Sequence, residues 1–468
     1  MHPAPDDRAL RPTDYLLLTV LSAVLALPAF ISGRGLTTHE ATHCLNVREM
    51  FESGDYLIPT YGGRPWLERP PVPHWLTGLP AFLANDPYAP WAMRIGPVLA
   101  GTAGVLVFAW AVAGALGRRI GLMSGAVMAT TREWAAYTTG PEADIFLAAA
   151  VTLVGSLILR ADFGPRSESR DRETFFGRRP WPVLGVFLVL GLTNAMKGPL
   201  FGTVFIASAL GVYVFLGRDW AALRRYVWFW GWLAYFATGL LWPVASYLRH
   251  PDVTDVWLAD YVKRLNEGYI KASWWYYLVH VPWNLFPWTI PALTGLAVTA
   301  RRVFRDRDRP WQFLWAWALV PPILLSAFQG KHHHYMLNCL APWCPLAVVG
   351  AVALWQVARD WPGWLRSPLF GLVAFGVPGA VAALALGDRI PGPDWMRYAI
   401  AGGWIVVAAL GWMFMTHRDG RTAFVGLIVV IVVVNSAAFL YRTVYLDRYE
   451  ADAIFLADVR DSVPTNTP

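Results

Sequence analysis

Residues 15–31 read YLLLTVLSAVLALPAFI, and residues 33–76 read GRGLTTHEATHCLNVREMFESGDYLIPTYGGRPWLERPPVPHWL. The first stretch has no charged residue and follows Arg8 and Arg11. A bilayer core takes about 20 apolar residues per helix, so the stretch fits a first span. A cleaved leader fits the same run, but the segment after it carries chemistry that a spanning helix would hold at the membrane. The second stretch is polar, broken by Gly and Pro, and ends at a new apolar run. Loops this long between elements usually carry a function. Working outward, further runs of spanning length fall at about 92–115, 120–138, 143–160, 180–195, 199–216, 226–248, 276–299, 311–329, 336–355, 368–387, 397–415 and 422–441. With the first, at about 14–33, they number about thirteen. Lipid offers no partner to backbone N–H and C=O groups, so these runs must be helices; the alternation of a transmembrane barrel is absent. The predicted fold is an all-α polytopic membrane protein of about thirteen transmembrane helices, with interfacial helices in the first and second large outer loops.

Composition points the same way. Of 468 residues, 56% are hydrophobic and only 15% are charged, against roughly 25% in soluble proteins. So little charge could not cover a soluble surface. The 26 Trp residues suit the lipid–water boundary, and Trp228 to Trp232 and Trp274-Trp275 read as belts there. The net charge of +7 comes from Arg in short loops between apolar runs, so no nucleic-acid partner is expected. Cys44, Cys339 and Cys344 form no disulfide framework and read as packing residues.

Charge also orients the chain. With the N-terminus inside, about 22 of the 39 Lys and Arg fall in the N-terminal tail and the inner loops, among them Arg301-Arg302-Val-Phe-Arg305-Asp-Arg307-Asp-Arg309. Two long segments, 33–91 and 249–275, then lie outside, with short outer turns near Pro141, Lys197, Lys331 and Asp388. The predicted organisation is a core over 1–355, C-terminal transmembrane helices over 356–441 and an outer tail over 442–468.

In the first outer segment, Thr37 or Thr38 caps a helix running to about Ser53, with Gly54 as its stop. Ala41, Cys44, Leu45, Met50 and Phe51 fall largely on one face, suited to lying in the interface. Thr37-Thr38-His39-Glu40 is also a capping box, in which Glu40 satisfies a backbone N–H. Farther on, Lys331-His332-His333-His334-Tyr335 is a conspicuous cluster. Neighbours on a helix point about 100° apart, so three adjacent histidines cannot converge on one ion, although one could join a ligand from another loop.

Glu40, Arg48-Glu49-Met50, Gly54-Asp55-Tyr56, Pro59 and Leu67-Glu68-Arg69-Pro70-Pro71 occur in the order of a known pattern. The segment resembles the first outer loop of the polyprenyl-phosphate-dependent GT-C glycosyltransferases. That group includes the lipid A aminoarabinose transferases and, more distantly, the protein O-mannosyltransferases. The resemblance continues through Asp144 at a span start, Lys197-Gly198-Pro199, Asp260 with Arg264, and Lys331 with Tyr335, over about the first 350 residues. Two positions depart from it: His39 replaces the first acid of an acidic pair, and Tyr261 stands where the family has His.

The resemblance implies transfer of a sugar from a polyprenyl-phosphate donor to a lipid, glycan or protein acceptor, at the outer face of a bacterial inner membrane. Such transfer needs a base for the acceptor hydroxyl, cations for the departing phosphate and a route for the lipid tail. Glu40, with His39 or Asp144, is the expected catalytic set. Glu68, Arg69, Lys197, Asp260, Arg264, Lys331 and Tyr335 are the expected contacts to substrate and phosphate. A divalent metal is the one cofactor implied, with His39, Glu68 and His333 as candidate ligands. Two rivals make different demands. A transporter or flippase for a lipid-linked sugar would put ionisable groups near midplane. A degenerate scaffold would tolerate neutralised carboxylates.

Overall fold

The computed structural model describes residues 8–32, 35–36, 38–86, 88–165, 174–218, 220–266, 272–328, 330–386 and 392–443. The chain opens with α1 (Pro12–Ile31) and α2 (Thr38–Ser53), then a hairpin of β1 (Thr60–Tyr61) and β2 (Arg64–Pro65). Next come α3 (Val72–Leu83), α4 (Pro90–Leu116), α5 (Arg118–Thr130), α6 (Arg132–Thr138) and α7 (Ala143–Phe163). Then follow α8 (Trp181–Leu192), α9 (Asn194–Lys197), α10 (Phe201–Gly217), α11 (Trp220–Tyr226), α12 (Phe229–Gly239), α13 (Leu241–Arg249) and α14 (Val253–Asn266). After α15 (Tyr276–Asn284), α16 (Thr289–Phe304) and α17 (Arg309–Ser326), a 3₁₀ turn over His333–Cys339 leads into α18 (Trp343–Arg359). The C-terminal helices are α19 (Gly363–Arg366), α20 (Pro368–Gly371), α21 (Val377–Ala385), α22 (Trp395–Met415) and α23 (Gly420–Tyr441).

Every predicted apolar run is helical, but thirteen unbroken spans do not result. Among the described residues six helices are long and apolar enough to cross a membrane, and a seventh counts if the 3₁₀ turn and α18, bent by 81°, form one broken span. The breaks have local causes. Run 120–138 parts at Thr131, which turns to extended backbone (φ −70°, ψ 130°). The hydroxyls of Thr130 and Thr131 bond back to the Ala126 and Val127 carbonyls at 2.7 Å. Run 276–299 parts between α15 and α16, where Pro287 has no N–H to give a continuous ladder.

The chain divides into two compact units: 1–26 with 39–351, and 27–38 with 352–468. In the first, α4 packs on α5 and α7, α8 on α7 and α12, and α10 on α17. Small residues permit these crossings. A Cβ at Gly155 would lie 2.3 Å from the Trp317 ring, and one at Gly295 would lie 1.8 Å from the Leu346 carbonyl oxygen. In the second unit α22 packs on α21 and α23, and the Trp412 indole donates to the Leu365 carbonyl at 2.7 Å.

Polar pairs at the helix ends join segments that the charge pattern assigns to the same side. On the side with the basic loops, Arg118 takes both oxygens of Asp14 at 2.6 and 2.7 Å. Arg225, fully buried, meets Asp162 at 2.9 Å on that same side. On the other side Arg249 meets Asp55 at 2.6 Å. Cys44, Cys339 and Cys344 are buried free thiols, and those of Cys339 and Cys344 donate to the Met336 and Leu340 carbonyls at 3.4 and 3.8 Å.

Candidate active site

Helix α2 runs to Ser53 and stops at Gly54, whose φ of +70° suits glycine. Its buried side differs from the apolar face expected. Ala41 is exposed, while Glu40, His43 and Asn46 are buried beside Cys44, Val47 and Met50. Polar groups so placed need partners. The His43 and His74 rings stack at 4.3 Å, joining α2 to α3. His43 Nε2 lies 2.9 Å from the Thr77 hydroxyl, and Asn46 lies 3.3 Å from His74 Nε2. His74 Nδ1 faces the Pro70 carbonyl at 3.2 Å; a carbonyl only accepts, so this nitrogen carries the proton. Burial pushes His43 down to about 4, with Arg69 adding to the fall and the Pro73 backbone and Asp144 opposing it. Burial likewise holds His74 well below the usual histidine range. Both rings are therefore neutral near pH 7, and they anchor the loop that carries Arg69.

Glu49 of the Arg-Glu-Met motif has a structural task. Its carboxylate accepts from the Gly62 and Gly63 N–H groups at 2.8 and 3.3 Å and from the Thr60 hydroxyl, and so caps the hairpin turn. Gly62 and Gly63 have φ of +62° and +73°, as a tight hairpin turn requires. The hairpin loop also meets α14. Ile58, Leu67 and Val253 form an apolar cluster with Trp257, whose indole donates to the Leu67 carbonyl at 2.8 Å. Arg249 pairs with Asp55; burial opposes, but this guanidinium and the Leu57 and Ile58 N–H groups hold Asp55 below the usual carboxylate range.

The centre of the site is Asp144, in the first turn of α7 and 9% exposed. Lys197 bonds directly to its Oδ1, and His334 Nε2 lies 3.7 Å from the same oxygen. The Lys197 ammonium also lies 5.4 Å from the Tyr335 ring and 5.6 Å from Phe201. A rigid turn sets this lysine. Gly198 has φ of +109°, and Leu200 sits in the left-handed region at +62°. The Leu200 N–H donates to Asn194 Oδ1 at 2.8 Å, Asn194 Nδ2 donates to the Tyr235 hydroxyl at 3.2 Å, and that hydroxyl meets Thr203 at 3.1 Å.

Among the sequence-predicted residues, the structure brings Asp144, Lys197 and Tyr335 together, with Arg69 close enough to act on Asp144 electrostatically. Arg69 is half-buried, 5.3 Å from the Trp66 ring, and among the described residues it has no carboxylate at ion-pair distance. Glu68 does not pair with it; Glu68 accepts from the Trp66 indole at 3.2 Å. Glu40 is 4% exposed, 3.9 Å from the buried Arg94 and against the backbone at Gly140, four residues before Asp144. His39 is exposed. Lys331, 3% exposed, gives its ammonium to the Ala272 carbonyl at 3.0 Å and to that of Phe328, and burial lowers its pKa. Asp260 is half-buried on α14, and the Arg264 side chain lies outside the described residues.

Among the described residues no three His, Cys, Asp or Glu side chains converge as metal ligands. His39, Glu68 and His333 do not form such a group. Two carboxylate pairs escaped the sequence reading. Glu133, 1% exposed on α6, is 3.0 Å from both Arg132 and His333 Nδ1. Glu40 with Arg94 is the other. A carboxylate inside the apolar run 120–138 was the available signal for Glu133, since such residues are seldom idle.

This fold, with its broken helices and a cationic cluster at one set of helix ends, is that of the GT-C polytopic membrane glycosyltransferases. The crystal structure of ArnT from Cupriavidus metallidurans bound to undecaprenyl phosphate matches it with a TM-score of 0.77, at 19% identity, over 98% of this chain and 82% of that one. Among curated proteins, the chain is similar to the undecaprenyl phosphate-alpha-4-amino-4-deoxy-L-arabinose arabinosyl transferases of two bacteria. That of Pectobacterium atrosepticum is 28% identical over 421 residues, 84% of this chain and 70% of the relative. That of Aeromonas salmonicida is 28% identical over 386 residues, 79% and 65% respectively. The chain thus spans about two thirds of the length of these relatives. No family model matches it. The resemblance to the aminoarabinose transferase group holds, and the protein is a multi-pass membrane protein.

Proposed function

We propose that this protein moves a sugar from a polyprenyl-phosphate donor onto a lipid, glycan or protein acceptor at the extracytoplasmic face of a bacterial inner membrane. The observation that carries the reading is the buried Lys197–Asp144 pair with Tyr335 beside it and the Arg69 guanidinium nearby. A sugar-1-phosphate diester becomes a more highly charged lipid phosphate as the bond to the sugar breaks. Fixed cations in a half-buried site stabilise that developing charge, and a guanidinium matches two phosphate oxygens at once. Arg69 supplies this fork, Lys197 a second positive charge, and Asp144 keeps Lys197 in place. The outward side of the basic-loop pattern supports the extracytoplasmic placement. Relatives named for an aminoarabinose donor make that donor the first to try.

The test is transfer in liposomes from radiolabelled polyprenyl-phosphate sugars, aminoarabinose first, to a membrane-lipid extract and to a glycan and peptide panel. Label in a new product with the unmodified protein, and a loss of about 100-fold or more in Arg69→Ala, is the expected result. Folded protein that transfers from no donor would end this reading. Movement of donor across the bilayer without transfer would replace it with a flippase.

A further inference from the structure

We propose that His333 is the base that takes the acceptor's hydroxyl proton, and that Glu133 holds its imidazole in the working tautomer. The inference rests on the transferase reading above. His333 opens the 3₁₀ turn with its side chain 46% exposed, and its Nδ1 lies 3.0 Å from Oε1 of a Glu133 side chain only 2% exposed. A carboxylate only accepts, so Nδ1 carries the proton and the Nε2 lone pair faces outward. Among the described residues nothing bonds to Nε2. Arg132 pairs with Glu133 at 3.0 Å and lies 4.9 Å from the Trp283 ring, contacts that hold the carboxylate in place. The Asn284 amide donates to the His333 carbonyl at 2.9 Å and holds the turn.

Position decides the role. The His334 ring is 5.6 Å from that of His333, and His334 is 3.7 Å from Asp144, which holds Lys197. The base is thus one residue from the cluster assigned to the phosphate. The other candidates are engaged or unsupported: Glu40 pairs with Arg94, Asp144 with Lys197, and exposed His39 lacks an orienting carboxylate among the described residues. The groups facing His333 are Glu133 and Arg132 of α6, Tyr276 and His280 of α15, and His332 and His334 of its own turn.

In the step, the acceptor oxygen bonds to the anomeric carbon. The bond from that carbon to the phosphate oxygen breaks, its electron pair leaving on the lipid phosphate. The hydroxyl proton passes to His333 Nε2 and then to water, so charge and atoms balance.

The experiment is the pH profile of kcat and KM for transfer in liposomes, for the unmodified protein, His333→Ala, His333→Asn and Glu133→Gln. The unmodified protein should gain rate with rising pH along an acid limb that the His333 variants lack. His333→Ala should lose about 10²- to 10⁴-fold in kcat with donor KM within about threefold, and added imidazole should restore part of the rate. Glu133→Gln should lose about tenfold in kcat with donor KM within about threefold, because the imidazole loses the acceptor that fixes its tautomer. His333→Asn keeps a donor toward Glu133 without a base, so it reads the same loss if the Ala variant unfolds. A folded His333 variant with kcat within about threefold of the unmodified protein, or with the acid limb intact, would sink the assignment while leaving the transferase standing. Absence of transfer by the unmodified protein would remove both together.

Discussion

Lys197 and Asp144 show how much a single buried contact carries. The two side chains are 6% and 12% exposed, so removing one strands the other charge where water reaches it poorly. Breaking such a pair costs about 3 kcal/mol or more. Lys197→Ala should therefore lower the thermal midpoint in detergent as well as transfer. Lys197→Ala with Asp144→Ala should recover much of the midpoint and none of the transfer, a separation that a purely structural pair would not give. His43 makes a second prediction. Its folded value of about 4 lies below the ordinary 6.5, so from pH 6.5 down to 4 the unfolded chain binds a proton that the fold refuses. Stability is full above about pH 6.5 and falls on acidification, by about 1.4 kcal/mol per pH unit for this group. Midpoints measured from pH 8 to pH 4.5 should show the fall, and His43→Leu should flatten it. At this scale the proximity of Asp144, Lys197 and Tyr335 was legible through their places in the ordered resemblance to the family pattern, and the structure brings the three together. Glu133 was not, since its partner His333 is 200 residues away and no local pattern links them.

Among the elements, α2 was readable from its cap region and its Gly54 stop. The breaks in the longer runs were not, because apolar composition reports depth in lipid and says nothing of a bend at Thr131 or Pro287. The hairpin loop is held to α13 and α14 by contacts of unequal weight. Arg249–Asp55 is a solvent-exposed pair, 51% and 35% exposed, and such pairs contribute under about 1 kcal/mol. Trp257 buries its ring against Ile58, Leu67 and Val253 and ties down the Leu67 carbonyl beside Glu68 and Arg69. Trp257→Ala should raise donor KM and speed proteolysis of the hairpin loop, and Arg249→Ala should leave both nearly unchanged. The turn after α9 offers another test. Leu200 adopts a left-handed backbone with its side chain 57% exposed, at a cost of about 1 kcal/mol. Leu200→Gly should leave the midpoint level or slightly higher. Its kcat should fall several-fold as Lys197 gains freedom.

For the whole molecule, charge counting and helix-end chemistry agree on which segments share a side. Asp14 with Arg118 and Asp162 with Arg225 lie with the basic loops, and Asp55 with Arg249 lies opposite. Single cysteines at Arg64 and Arg305 should then label from opposite faces of intact cells, with the buried native cysteines silent. The span count was not legible, because a broken helix and a straight one have the same composition. The Asp14–Arg118 pair has a consequence in time. The two residues are 104 apart in sequence, so during synthesis at about 5–20 residues per second Asp14 waits roughly 5–20 s for its guanidinium. Until then the first helix must keep that carboxylate at the wet boundary, and by the time Arg118 arrives α4, the one helix between them among the described residues that is long and apolar enough to cross, has to have brought the chain back to the same side. The contact can close only when that return has been made, so it latches a completed threading and gives no help to one still under way.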